Sequence, residues 1–200
     1  QGSWQVNLEL ANSLTNGDCD RLEQHALYYV KKLSEDGKYP LTIWPYHSML
    51  GGIGHALVSA VEEAIFFHSI ARKSKTNFEL KGSNALTENY SVLSPEVTDS
   101  IDGKSIASKN TDLIDKLLNF DYLIIAGQAK SHCVAWTIDN LLTEIKLIDA
   151  SLSKKIYLLE DCMSPVVIPE VVDFTAQANT TFQKFADAGM NIVNSTDSLF

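Results

Sequence analysis

Apolar residues fall along this chain in blocks of two kinds: short continuous runs and longer stretches of helical period. Residues 18–36 place Leu22, Ala26, Tyr29, Val30 and Leu33 on one helical face, with Asp18 or Asp20 to cap the start and Gly37 to stop it. Residues 55–72 repeat the pattern with Ala56, Ala60, Ala64 and Ile65. Three further helices are predicted over 111–118, opened by Thr111, over 131–145, and over 172–188, stopped by Gly189. Between them lie strand-sized runs. These are Tyr39-Pro-Leu-Thr-Ile-Trp44 ending at Pro45, Asn77-Phe-Glu-Leu-Lys81 stopped by Gly82, and Tyr122-Leu-Ile-Ile-Ala126 closed by Gly127; Lys155-Ile-Tyr-Leu-Leu159 and Asn191-Ile-Val follow. The unbroken runs at 122–126 and 155–159 read as strands buried on both faces. Residues 51–54 and 99–103 read as turns, and no repeat, low-complexity tract or linker interrupts the chain. Strand–helix alternation predicts an α/β fold with a mostly parallel, doubly wound sheet between helices on both faces, in three layers. Ligands of such sheets sit beyond the carboxyl ends of the strands, here residues 45–47, 81–82, 127–133 and 161–165.

Composition narrows the classes. The 200 residues fit one domain spanning 1–200; 45% are apolar and 20% charged, which excludes a disordered or fibrous chain. The formal charge of −9, from 16 basic against 25 acidic residues, lacks the basic footprint that nucleic acid or an anionic membrane surface requires. Three cysteines, Cys19, Cys133 and Cys162, make no disulfide framework and point to a reducing, cytoplasmic setting. No apolar run approaches the ~18–20 residues of a membrane span. The three glycosylation sequons at Asn89, Asn179 and Asn194 are short enough to arise by chance.

The strongest chemical signal is Ala126-Gly-Gln-Ala-Lys-Ser-His-Cys133-Val. A buried strand ends, a tight turn follows, and Cys133 falls near the first turn of a helix. Orphan N–H groups and partial positive charge at a helix start favour a thiolate and can hold a developing oxyanion. That placement suits a nucleophile, although a small buried cysteine occupies the same kind of position. Lys81 ends a predicted strand; alone it reads as a solvated charge, but beside a thiolate it stabilises negative charge. His47 reads equally as a metal ligand, a substrate contact or a satisfied buried histidine, since metal binding needs three or four converging ligands. His132 precedes Cys133 directly and shares no helix face with it, so the two do not form a dyad. His25 and His68 lie in predicted helices and read as structural or exposed, and Cys19 and Cys162 read as structural.

Taken together, four segments resemble the isochorismatase-like cysteine hydrolases, the superfamily that includes nicotinamidases. Trp44-Pro-Tyr-His47 resembles a Trp-Pro-x-His segment, and Phe78-Glu-Leu-Lys81-Gly82 the strand end with the catalytic lysine. Gly127-Gln-Ala-Lys-Ser-His-Cys133-Val resembles the nucleophile turn, and Leu159-Glu-Asp161-Cys-Met-Ser164 the strand end that follows it. The resemblance covers roughly residues 40–195. It implies an α/β/α hydrolase in which Cys133 attacks a small amide, a thioester forms, and water hydrolyses it. Lys81 would support the thiolate. The N–H groups of Ala129 and Cys133 would form the oxyanion hole beside a cis bond at Gln128–Ala129. Trp44 and Gln128 would contact substrate, and His47 would be one ligand of a zinc-type divalent ion. A homo-oligomer is also implied.

Three features depart from the pattern. The aspartate strand end that should precede these motifs and an Asp-x-His ligand pair are missing, and Lys130 and Ser131 stand where threonine and an acid are frequent. We therefore expect the chain to be the carboxyl part of a longer protein, its first strand or strands cut off or supplied by another chain, because an absent central strand would leave an apolar edge open. A vinyl-ether hydrolase of the isochorismatase type and a catalytically silent binding or assembly subunit are the alternatives.

Overall fold

The computed structural model describes residues 5–199. Its helices are α1 (Leu8–Thr15), α2 (Cys19–Glu35), α3 (Ser59–Arg72), α4 (Thr111–Leu118), α5 (Ala135–Ile148) and α6 (Thr175–Asp187). Its strands are β1 (Leu123–Ile125), β2 (Ile156–Leu159), β3 (Val167–Ile168), β4 (Val172–Asp173) and β5 (Asn191–Val193). Residues 39–80 form one compact unit, and the remaining described residues form the other.

The apolar run at 156–159 becomes the middle strand of a parallel sheet ordered β1-β2-β5. Leu123, Ile124 and Ile125 pair with Ile156, Tyr157 and Leu158, which in turn bring Asn191, Ile192 and Val193 alongside β2. The connections run through α5 and α6, as parallel pairing requires. Strand alternation then sorts the side chains. Ile156 and Leu158 are fully buried in a core with Ile138, Leu141, Leu142 and Ile145 of α5, Phe182 and Phe185 of α6, and Leu113 and Ile114 of α4. The expected burial on both faces does not hold for β1: on the opposite face Ile124 is 45% exposed, and the Tyr157 and Tyr122 rings lie tilted to each other with centroids 6.1 Å apart. The fold is thus α/β with a parallel sheet, as the alternating pattern predicts.

Local chemistry explains the helix ends. The Asp18 carboxylate accepts the Arg21 amide at 2.9 Å and opens α2; Gly37, at φ +65°, ends it with the Lys38 amide folded back on the Leu33 carbonyl at 2.8 Å. Asn110, rather than Thr111, caps α4 by accepting the Leu113 amide at 3.1 Å. Helix α1, which the sequence pattern does not single out, is opened by Asn7, whose side chain accepts the Leu10 amide at 2.7 Å.

Several boundaries differ from expectation. Residues 39–44 and 77–81 are not strands. Alternation marks a segment that can pair, and pairing with a neighbour is what makes it a strand; Pro40 and Pro45 also lack the amide a ladder needs. The helix expected from residue 55 begins at Ser59, after a short turn over Ile53–His55. The helix expected from residue 131 starts with a wide π-type turn over Lys130–Val134 before α5 proper. The one expected from 172 begins at Thr175, because residues 172 and 173 pair with β3 in a small antiparallel hairpin. In the 39–80 unit no residue of α3 is buried. No helix among the described residues is long and apolar enough to cross a membrane.

Candidate active site

Cys133 lies in the wide turn between β1 and α5, half-buried, beyond the carboxyl end of β1. Two anchors hold this turn. The Gly127 amide donates to the Cys162 carbonyl at 3.3 Å and the Lys130 amide to the Ser164 carbonyl at 2.8 Å, tying it to the chain after β2. Gly127 sits at φ +133°, where a side chain is rarely accommodated. Within the turn the His132 and Val134 amides both donate to the Ala129 carbonyl, at 3.0 and 3.2 Å. The Gln128–Ala129 peptide bond is cis, as the resemblance implies.

Lys81 reaches this thiol from a segment that is coil rather than the expected strand end. Its Nζ donates to the Asn89 carbonyl at 2.6 Å and to Cys133 Sγ at 3.5 Å. Among the described residues no carboxylate pairs with Lys81.

The neighbours of Cys133 are occupied structurally. Lys130 is buried, with Nζ 2.7 Å from Glu160 Oε1, 3.4 Å from Asn179 Oδ1, and 4.6 Å above the Phe182 ring. The Ser131 hydroxyl accepts the Val166 amide at 2.9 Å and lies 2.8 Å from His132 Nδ1. The buried His132 ring packs edge-on against Phe174 and beside Tyr90, and burial pushes its pKa down. His132 is therefore a packed neutral ring rather than a dyad partner. Gln128 is exposed and its amide hydrogen-bonds Ser164. Asp161, at the end of β2, accepts the hydroxyl and amide of Ser195 at 2.6 and 2.8 Å. Those bonds hold its carboxyl below the usual range and link the ends of β2 and β5.

Trp44 and His47 belong to the 39–80 unit, Trp44 half-buried and His47 exposed. The His47 ring donates from Nδ1 to the Pro45 carbonyl at 2.7 Å. Among the described residues no group of three His, Cys, Asp or Glu side chains could hold a metal ion. These residues do not fit the divalent ion that the resemblance implies.

Sequence reasoning missed the Asn89 carbonyl as the second acceptor for Lys81. A backbone oxygen leaves no signal in residue identity. It also missed the buried role of Lys130, for which the acid thirty residues downstream was the available clue.

An α/β protein with a cysteine in the turn after a parallel strand, and a lysine donating to its sulfur, is the class that fold and site define. No family model matches the chain, and no curated protein matches it. Among solved structures it is similar to a nicotinamidase and pyrazinamidase of Acinetobacter baumanii, 17% identical over 78% of this chain and 61% of that one, with a TM-score of 0.47. It is similar to the yeast nicotinamidase Pnc1p bound to the inhibitor nicotinaldehyde, at 20% identity with 78% and 61% covered and a TM-score of 0.47. It is similar also to the nicotinamidase PncA from Bacillus subtilis, at 13% identity with 90% and 91% covered and a TM-score of 0.45. The chain spans 61% of the length of the first two. These likenesses concern the course of the chain.

Proposed function

We propose that this chain carries the nucleophile of a cysteine-dependent hydrolase acting on small non-peptide amides. The observation that supports this reading is the Lys81 Nζ donating to Cys133 Sγ at 3.5 Å in the turn that opens α5. A cation beside sulfur stabilises negative charge on it, and the thiolate is the nucleophilic form. Cys133 Sγ attacks the amide carbonyl, forming the C–S bond. The N–H groups of Ala129 and Cys133 face the oxygen as charge develops there. The C–N bond then breaks, the nitrogen leaves as ammonia or an amine carrying the proton that the thiol gave up, and a thioester remains. Water adds to the thioester, the acid departs, and a proton returns to the thiol–lysine pair. Gln128, in the turn beside Cys133, is the proposed substrate contact, a homo-oligomer the proposed assembly, and the cytoplasm the proposed compartment.

The test is ammonia release from nicotinamide and other small primary amides by the full-length protein. Cys133→Ala is expected to lower the rate by at least about a thousandfold, as loss of a covalent nucleophile does. Activity retained in Cys133→Ala would sink the proposal.

A further inference from the structure

The mechanism uses Lys81, yet Lys81 is exposed, sits in coil, and carries a side chain with several freely rotating bonds. Something must hold its ammonium on the sulfur, because an unrestrained lysine loses that geometry to rotamer entropy. Among the described residues the Nζ has one close anchor besides Sγ, the Asn89 carbonyl at 2.6 Å. The residues on either side of that carbonyl are fixed from α2 and from Glu96. The Tyr29 phenol, 6% exposed, donates to Glu88 Oε2 at 2.9 Å and accepts the Glu88 amide at 3.1 Å. The Glu96 amide donates to the Glu88 carbonyl at 2.9 Å, and the Tyr90 amide donates to Glu96 Oε1 at 3.3 Å. The Glu96 carboxylate is itself buried against Lys38 Nζ at 3.1 Å. Nearby on α2, His25 Nε2 donates to the Leu86 carbonyl at 2.8 Å.

We propose that Tyr29 is a positioning residue: by gripping Glu88 at both its amide and its carboxylate, it sets the Asn89 carbonyl that aims Lys81 Nζ at Cys133 Sγ. The proposal rests on the lysine–cysteine pairing of the proposed function. Tyr29 touches neither the sulfur nor any substrate and acts through one backbone carbonyl. Helix α2 thereby becomes part of the apparatus that tunes the thiol.

The test is the rate of iodoacetamide alkylation at Cys133 near neutral pH, followed peptide by peptide by mass spectrometry so that Cys19 and Cys162 are read separately. Lys81→Met is expected to slow alkylation about tenfold, the order expected for removing an opposite charge close by. Tyr29→Phe keeps the ring and loses the hydroxyl; it is expected to slow the reaction about fivefold, the weight of one hydrogen bond. In a Lys81→Met background, Tyr29→Phe is expected to change nothing further. Glu88→Gln keeps an acceptor for the phenol and should retain the wild-type rate, whereas Glu88→Ala should behave like Tyr29→Phe. An effect of Tyr29→Phe that persists without Lys81, or no effect while Lys81→Met is slow, would overturn the positioning role alone. A Lys81→Met protein alkylated at the wild-type rate would overturn the pairing and the positioning role with it.

Discussion

Replacing Glu160 with alanine strands a buried cation. The Lys130 side chain is 7% exposed, whereas the Glu160 side chain is 50% exposed, so the two halves of this ion pair stand to lose very different amounts. Removing one partner of a fully buried pair costs about 3–5 kcal/mol. Here water can enter where the half-exposed carboxylate was, and Asn179 Oδ1 at 3.4 Å and the Phe182 ring remain, so we expect Glu160→Ala to cost about 2 kcal/mol. Lys130→Met runs the other way. The methionine keeps apolar contact with Phe182 and leaves Glu160 to be solvated, so the expected cost is below about 1 kcal/mol. The double variant should be no less stable than Lys130→Met alone, because the penalty in Glu160→Ala is that of the lysine left behind. Urea unfolding midpoints at constant slope measure all three differences. The Lys130 amide bond to the Ser164 carbonyl is untouched by these changes, so Cys133 alkylation in Lys130→Met should match wild type. A Lys130→Met protein less stable than Glu160→Ala would refute the argument that the lysine bears the desolvation cost. A change in Cys133 alkylation would refute the view that residue 130 serves the fold rather than the reaction.

Phe185, fully buried between α6 and the sheet, should cost about 3–5 kcal/mol when replaced with alanine, read as a lowered urea midpoint. His132 gives a pH prediction. Burial lowers its pKa in the folded state, so the unfolded chain takes up the proton first. The stability tied to its neutral ring is complete above the ordinary histidine value of about 6.5 and drains away as pH falls below it. Urea midpoints taken on both sides of that value should show a decline that His132→Gln makes shallower; an unchanged slope would contradict the buried neutral ring.

The residues alone determined a good part of this protein. The unbroken apolar runs at 123–125 and 156–159 read as strands, and the helix between them allows the parallel pairing that is observed, although burial on both faces was expected and Ile124 is 45% exposed. Asp18 and Gly37 mark the ends of α2 because capping and left-handed turns are chemistry of single residues. Cys133 was legible for the same reason: a strand, a glycine and a helix start within one short segment fix where the thiol falls. What lay beyond the sequence is whatever depends on a partner distant along the chain. Residues 39–44 and 77–81 have the composition of strands and are coil, since a strand exists only against a neighbour. Lys81 reads as a solvated charge in its own segment. Only the tertiary structure brings it to the sulfur 52 residues away, and it does so through the Asn89 carbonyl, an atom every residue possesses. Lys130, which by type belongs at the surface, is buried because Glu160, Asn179 and Phe182 converge on it. Local chemistry is written in residue identity and spacing; the charge and geometry of the site arise only when separate segments close on one another.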